Sequence, residues 1–529
     1  MNTGTHSNMK TFVRLLTLLL ACLMLVMTVV ACDDEGDGEG DIGSAAELDE
    51  YGREGDDLPA LNYQNDEISV LNWNAENLEF DVEQITSDNV SNAVYDRNGE
   101  IERRLNVELK FTTEEGDVKH MKPFVALVQR VYESKTHDFD LIASYSRTEG
   151  MLAIQGYLED LKTIDGSYIN LEKPWWPDNV ISTVSIADSM YFISGDISPN
   201  VLYLMQVLYF NKSLLNQYWN TAAQEKGIES DRDENGKEIV SPAARMIYNM
   251  AYEGTWTIDE LINLTRGADG NGTFKDIGPN TDKEDTGDQY GFTSTGYQID
   301  SFYTGSNLRL IEHVDTEEVL IVSPDYGSFK TVKLVDKLGD WFATRNAYAD
   351  NNENDANVWS KPWNSGNAMF VATRAHSVKN LDVEWDYGVM PMPKYDLKQA
   401  NYYTCMGNPF TLYGIFKGLD DLGDRAATLQ QMTAVLECWA SETYRLVTPE
   451  VFEVNMQLKY ADTQYETDMF EIVRSSVVFD LGRIFANDMA FMSELPSRCA
   501  VNNASWASTY GAYKNSLNTK LEQIVEKLA

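Results

Sequence analysis

Two hydrophobic rhythms alternate along the chain. The run Ile68-Ser69-Val70-Leu71-Asn72-Trp73 is short, branched and apolar, with polar residues after it, and reads as a buried strand. Helical periodicity follows over 89–105, then a second strand over 107–111, an amphipathic helix over 121–133 and a buried-type strand at Phe139-Asp140-Leu141-Ile142-Ala143. Further strands are predicted near 190–193, 207–211 and 388–390, and the last hundred or so residues are mostly helical in pattern. Strands alternating with helices imply parallel βαβ units and an α/β fold. No internal repeat of solenoid period is present. At 529 residues the chain exceeds one compact core and fits two domains.

The N-terminus has a different pattern. Lys10 and Arg14 precede an apolar run over 15–31, the charged and hydrophobic regions of an export signal. The run ends in Val29-Val30-Ala31-Cys32, which resembles a bacterial lipobox, in which the cysteine is lipidated and becomes the mature N-terminus. Leu19-Leu20-Ala21-Cys22 fits loosely, but cleavage there leaves nine more apolar residues. Residues 1–31 are therefore expected to be a signal peptide, Cys32 the lipidation site, and the chain a membrane-anchored protein of the extracytoplasmic face. Residues 32–63 are rich in Asp, Glu and Gly, and are expected to form a disordered acidic tether extended by self-repulsion. Gly38, Gly40 and Gly43 have dinucleotide-fingerprint spacing, but no strand precedes them and the nearby acids repel a pyrophosphate.

Charge narrows the partners. The net charge of −41 disfavours nucleic acid and adsorption to anionic lipid through a basic patch. Cys22, Cys32, Cys405, Cys438 and Cys499 contain no CxxC pair, and they leave open one bridge among the last three. The five histidines are scattered and no HExxH occurs, so no metal site is expected. The 28 Tyr and 11 Trp suit surfaces that hold polar ligands, since each ring joins an apolar face to a polar tip. In open α/β sheets ligands sit beyond the carboxyl ends of strands. That rule singles out Trp73, Asn74, Glu76 and Asn77 after the first strand, Ser144, Tyr145 and Ser146 after the Phe139 strand, and Gly195 and Asp196 after 190–193.

Short motifs then recur in a recognisable order. Phe139-Asp140-Leu141-Ile142 precedes Tyr157-Leu158-Glu159-Asp160-Leu161, and Lys173-Pro174-Trp175-Trp176 precedes Tyr191-Phe192 and Gly195-Asp196-Ile197-Ser198. Leu208-Tyr209-Phe210-Asn211-Lys212 with Leu214-Leu215 follows, then Gly254-Thr255-Trp256-Thr257 with Asp259-Glu260-Leu261. Ser365-Gly366-Asn367-Ala368-Met369-Phe370 and Tyr387-Gly388-Val389-Met390-Pro391-Met392-Pro393 complete the series. From about residue 64 onward the chain resembles the extracellular solute-binding proteins of family 1, carbohydrate-binding lipoproteins of bacterial ABC importers. Ser365 and Asn367 depart from that family's G-x-A-A-M, and the stretch from Asp269 to Gly291 lacks the alternating ligands of a calcium loop.

The resemblance implies a two-lobed, periplasmic-binding-protein-like fold of type II, with an interlobe cleft and a helical C-terminal part. Lobe 1 is expected over 64–205 and 393–440, lobe 2 over 206–392 and 441–529, with the 208–211 strand as first crossing and the 388–393 region as the return. Such lobes close on a ligand about a hinge. A sugar needs aromatic rings for its C–H faces and charged or amide groups for its hydroxyls. The ligand-binding candidates are therefore Trp73, Tyr145, Trp175, Trp256 and Trp363, with Asn74, Asp196 and Asn408. Trp175 and Trp176 are adjacent, so an extended segment turns one ring in and one out; Trp175 is the candidate and Trp176 stays open as the alternative. Trp363 is expected exposed in the Pro-broken loop around Pro362. The implied function is capture of a sugar or oligosaccharide by a monomer and delivery to ABC transporter permease subunits, with no cofactor and no catalysis. A peptide or other solute binder of the same fold is the alternative, and a surface glycosidase, needing two opposed carboxylates, a more distant one.

Overall fold

The computed structural model describes residues 48–528 apart from 50–51, 76, 83–84, 86, 187, 278–286, 315–318, 351–359, 379–384, 420–422 and 460. The expected signal peptide, Cys32, most of the tether and Glu76 lie outside the described residues.

Local chemistry sets the elements of the first half. β1 (Asp66–Trp73) ends in four consecutive buried positions. The helix Asn89–Leu105 buries Val90, Ala93, Val94, Arg97, Ile101 and Leu105, one stripe at helical spacing. Asp88 caps its start by accepting from Ser91 N at 2.8 Å, and Asn106 ends it in the left-handed region at φ 50°. β2 (Val107–Glu114) follows, then the helix Met121–Ser134 and β3 (Leu141–Tyr145). Every residue of β3 is buried, as expected of a strand covered on both faces. Beyond it the chain builds β4 (Gln206–Asn211), β5 (Tyr290–Thr295), β6 (Ala347–Asp350), β7 (Ala368–Arg374), β8 (Tyr387–Met390) and β9 (Thr411–Ile415).

Two sheets result, the first completed by a strand that follows all those of the second. The first has the order β9-β3-β1-β2, with β1, β2 and β3 parallel and β9 antiparallel to β3. The second has the order β6-β5-β7-β4-β8, with β5, β6 and β7 parallel and β4 antiparallel to both β7 and β8. Both sheets thus share one plan, parallel strands with one antiparallel strand: three parallel in the first, four in the second. This is the two-lobed binding-protein architecture, with β4 entering the second sheet just after Met205. The crossing segments run side by side: Met205 bridges Met406, and Gly407 N donates to Leu204 O at 2.8 Å. A third segment joins them where Thr404 and Cys405 pair with Val477 and Val478.

Several boundaries differ from those expected. Residues 190–193 form no strand. Ile193 and Tyr413 exchange one pair of backbone bonds, and the chain then turns away at Gly195, where φ is +148° and a side chain would meet Trp175 O. Residues 52–63, expected to be part of the acidic tether, lie on the body. Arg53 pairs with Glu453 at 2.5 Å, Asp56 with Arg104 at 2.6 Å, and Lys173 with Asp57 at 2.9 Å. Composition registers the mutual repulsion of these acids but not the cations placed to receive them. Residues 441–529 do not belong to lobe 2 alone. The π-helical turns of 443–459 pack on the helix Asn89–Leu105, whereas the helix Gln464–Ser475 packs on β8. The final helix, Trp506–Leu528, touches both the helix Ser146–Ile154 of the first half and the helix Phe329–Phe342 of the second. Cys405, Cys438 and Cys499 are buried free thiols, so no bridge joins them.

Two glycines test this packing in opposite directions. A Cβ at Gly116 would lie 2.6 Å from Trp73 Cβ and 3.2 Å from the Phe124 ring, whereas Gly99, exposed in the helix Asn89–Leu105, has nothing within 4 Å. Gly116→Ala is expected to lower stability by roughly 1–3 kcal/mol, and Gly99→Ala to raise it by roughly 0.5–1 kcal/mol. Urea denaturation of the two variants checks both signs.

Candidate functional site

The carboxyl ends of the parallel strands in the two sheets meet beside the crossing segments. From the first sheet come Trp73 and Tyr145, whose rings lie 5.5 Å apart. Trp73 is 1% exposed, and its indole donates to Thr411 Oγ1 on β9 at 2.9 Å, so the ring fixes β9 against β1. Asn74 is exposed, and its side-chain oxygen accepts from Gly116 N at 2.9 Å, tying the loops after β1 and β2 together. Asn408 lies in the crossing; its carbonyl accepts from Ser146 Oγ at 2.7 Å, which holds the start of the helix Ser146–Ile154. Trp73, Asn74, Tyr145 and Asn408 thus lie together, but the Trp73 and Tyr145 rings are buried beneath the surface and only Asn74 and Asn408 reach it.

The opposite wall comes from strand ends that pattern reading does not find. After β5 come Tyr297, Gln298 and Asp300, and at the end of β7 come Arg374 and His376. Tyr297 is 46% exposed. His376 Nδ1 lies 2.8 Å from Tyr203 O, joining this wall to the end of the first half. Between the walls runs the segment after the third crossing, which brings Arg483 and Glu494. Arg483 donates to Asp300 Oδ2 at 2.7 Å and to Met406 O at 3.3 Å. Arg147, on the helix after β3, pairs with Glu494, which also accepts from Arg498 at 2.8 Å.

These groups share one electrostatic environment. Burial raises the Tyr145 hydroxyl's pKa, and the charges acting on it are Arg147, Glu494, Arg483 and Arg374, from both halves of the chain. Burial pushes the Asp300 carboxyl up to about 6; Arg483 opposes that rise and Glu494 adds to it. Burial acts on Glu494 in the same direction, but Arg147 outweighs it and holds the carboxyl below its ordinary range. Tyr, Asn, Arg and carboxylate groups at mixed depths can hydrogen-bond a polar neutral ligand from two sides, while the Tyr297 ring offers an apolar face. Among the described residues no cluster of His, Cys, Asp and Glu is placed to hold a metal ion.

Four of the expected ligand residues lie elsewhere. Trp175 is fully buried in the first half, against Tyr444 and Lys173. Trp176 is buried too, donating to Glu437 at 2.8 Å; the segment turns rather than extends, so in-and-out alternation does not apply. Asp196 is buried, and burial raises its carboxyl while Arg474, 3.6 Å away, opposes the rise. Trp256 is fully buried behind β7, near Phe370, with its indole donating to Pro391 O at 2.9 Å. Trp363 sits in the short helix Ser360–Asn364, 3% exposed and edge-on to Trp385 at 4.6 Å. Trp256 and Trp363 cover strand residues Phe370 of β7 and Tyr209 of β4, where a large apolar area does most for stability. The signal that finds Tyr297 is the run Gln289-Tyr290-Gly291-Phe292 read as a strand entrance, after which the strand-end rule points to it.

The Asp300 carboxyl carries a pH signature. Its folded pKa lies above the unfolded value, so its contribution to stability is complete below about pH 4 and is lost as pH rises through about 6. Asp300→Asn is expected to remove that loss, making the fall in stability between about pH 4 and 6 shallower than in the wild type by roughly 1–3 kcal/mol. Denaturation midpoints measured across this range decide it; parallel profiles would contradict the assignment.

No protein-family model matches the chain, and no curated protein sequence matches it. Solved structures similar to it include a cyclo/maltodextrin-binding protein complexed with maltotetraose, at 13% identity over 88% of this chain and 98% of that one, with TM-score 0.47. The maltose-maltodextrin binding protein of Alicyclobacillus acidocaldarius is 12% identical over 87% of this chain and 99% of that one, with TM-score 0.44. A family 1 extracellular solute-binding protein from Bifidobacterium longum subsp. infantis is 11% identical over 87% and 99%, with TM-score 0.46. The chain's own strand order, with one antiparallel strand in each sheet and crossings at 204–206 and 405–407, places it in the two-lobed binding-protein fold.

Proposed function

We propose that this chain is a solute-binding lipoprotein of the extracytoplasmic face, moored through Cys32, which closes its two halves on a sugar or oligosaccharide and presents it to the permease subunits of an ABC transporter. One observation carries the reading. Strand ends of the two sheets come together beside the crossing segments, where Arg483 and Arg374 act on Tyr145, and Tyr297, next to Gln298, which donates to Thr373 of β7, is 46% exposed. A pyranose fits such a place, because its C–H face stacks on the ring and its hydroxyls meet Asn, Arg and carboxylate partners. Selectivity comes from those partners, since a ligand lacking the matching hydroxyl leaves a buried group unpaired. Closure requires the ligand to bind the closed form more tightly than the open one.

A glycan and peptide panel tests this by thermal shift. A bound sugar stabilises by about 2.7 kcal/mol at one hundred times its Kd and is recovered intact. Stabilisation by peptides alone would support a peptide binder, and recovery of cleaved sugar a glycosidase. Tyr297→Ala is expected to weaken sugar binding roughly tenfold, about 1.4 kcal/mol, with the melting temperature of the free protein unchanged; unaltered affinity would remove Tyr297 from the site. The mooring has its own test. Cys32→Ala is expected to move the protein from the membrane fraction to the soluble one, and retention in the membrane would count against lipidation at Cys32.

A further inference from the structure

A second concavity lies at the junction of the two halves and shares no lining residue with the strand-end site. It encloses about 570 Å³, within the usual range for small-molecule pockets. Asp178 and Asn179 of the first half form one wall. Asn401, Tyr402 and Tyr403 of the return segment form the other, together with Ser475 at the end of the helix Gln464–Ser475. The floor is the third crossing, to which the first half is tied by a hydrogen bond from the Asn179 side-chain amide to Val477 O. The Tyr402 ring is held in place, its hydroxyl donating to Ala251 O at 3.0 Å and Lys394 Nζ standing 5.6 Å from its centroid.

The lining selects the ligand. It contains two phenol rings, two amides, two serine hydroxyls and one carboxylate, and no Lys, Arg or His. An anion finds no counter-charge there; Asn179, Tyr402, Ser475 and Ser476 already bond protein partners, and their remaining acceptor lone pairs, with the Asn401 amide and the Tyr403 hydroxyl, stay open to a hydrogen-bonding guest. A neutral polyhydroxy molecule meets rings for its C–H faces and donors and acceptors for its rim. We propose that this groove is a second ligand site, for a mono- or disaccharide, separate from the strand-end site. The proposal goes beyond the function argued above and depends on it for one consequence only. Because the walls belong to different halves, a guest in the groove binds the open and closed forms unequally, and its effect on affinity at the strand-end site is matched by an equal factor in return.

Isothermal titration of the folded protein with glucose, galactose, maltose, cellobiose and sucrose tests the proposal. The expected result is a millimolar-range binding event that Tyr403→Ala weakens at least tenfold and that Tyr297→Ala leaves intact. Ser475→Trp, a substitution on an exposed position of the last helical turn, fills the groove and is expected to abolish the same event while the melting temperature holds. It keeps the test valid should Tyr403→Ala fold poorly. The proposal is overturned if none of these sugars gives an event sensitive to either substitution. A groove event without any Tyr297-sensitive event would uphold this site and instead defeat the strand-end reading.

Discussion

β4 opens the second sheet directly after the first crossing, and β9 closes the first sheet after the whole second sheet has been built; each runs antiparallel to the strands it pairs with. The first sheet is finished only by β9, which follows every strand of the second, so the chain must cross at least twice, and the crossings at 204–206 and 405–407 lie side by side. Everything positioned beyond the strand ends follows from this. β3 delivers Tyr145, β7 delivers Arg374, and the crossing holds Met406 and Asn408 between them. Gly407 belongs to the same constraint, since a Cβ there would come 3.1 Å from Arg374 Nε and 3.3 Å from Leu204 O. A glycine lets the two crossing segments and the end of β7 approach closely.

Charges placed across the junction position the halves more than they stabilise them. Asp196 with Arg474, Arg147 with Glu494, and Arg483 with Asp300 all join elements that pack mainly on different halves or on the crossings. Removing such groups from water costs nearly what their attraction returns, whereas leaving one without its partner is expensive. Their net effect is therefore geometric. A displacement of the halves that parts a pair must supply a replacement partner, either water or a ligand hydroxyl, and this confines the accessible arrangements to a few.

Much of the first sheet was legible because its signals are local. The helix 89–105 has an apolar stripe, an Asp cap and an Asn stop, and its predicted ends are the observed ones. Of the second sheet only β4 and β8 were legible. β5 reads Tyr-Gly-Phe-Thr-Ser-Thr, half of it polar, and is buried throughout because its hydroxyls are absorbed by neighbours such as Ala372 O, which Ser294 Oγ reaches at 3.1 Å. With β5, β6 and β7 unseen, the strand-end rule had only one sheet to act on. It yielded Trp73, Asn74 and Tyr145 but not Tyr297, Asp300 or Arg374. Residue type misled in the other direction. Trp175, Trp256 and Trp363 are good sugar platforms in the abstract, yet the same area favours burying them in the core. Arg483 and Glu494 carry no local signal, because their place depends on a crossing some seventy to ninety residues after the previous one.

The seating of residues 52–63 adds a mechanical argument. Asp56 is wholly covered between Arg104 and Ser441, and burial, which would raise its carboxyl, is outweighed by Arg104 so that the group stays below its ordinary range. Arg53 reaches Glu453 and the Arg445 carbonyl, and Lys173 takes Glu54 and Asp57. Arg104, Arg445, Glu453 and Lys173 all lie on the first half or on the π-helical turns packed against it. A pull applied through the chain N-terminal to residue 52 therefore loads the first half alone. Residues 52–63, which composition alone marks as spacer, are thus seated by ion pairs on the first half and on the turns packed against it.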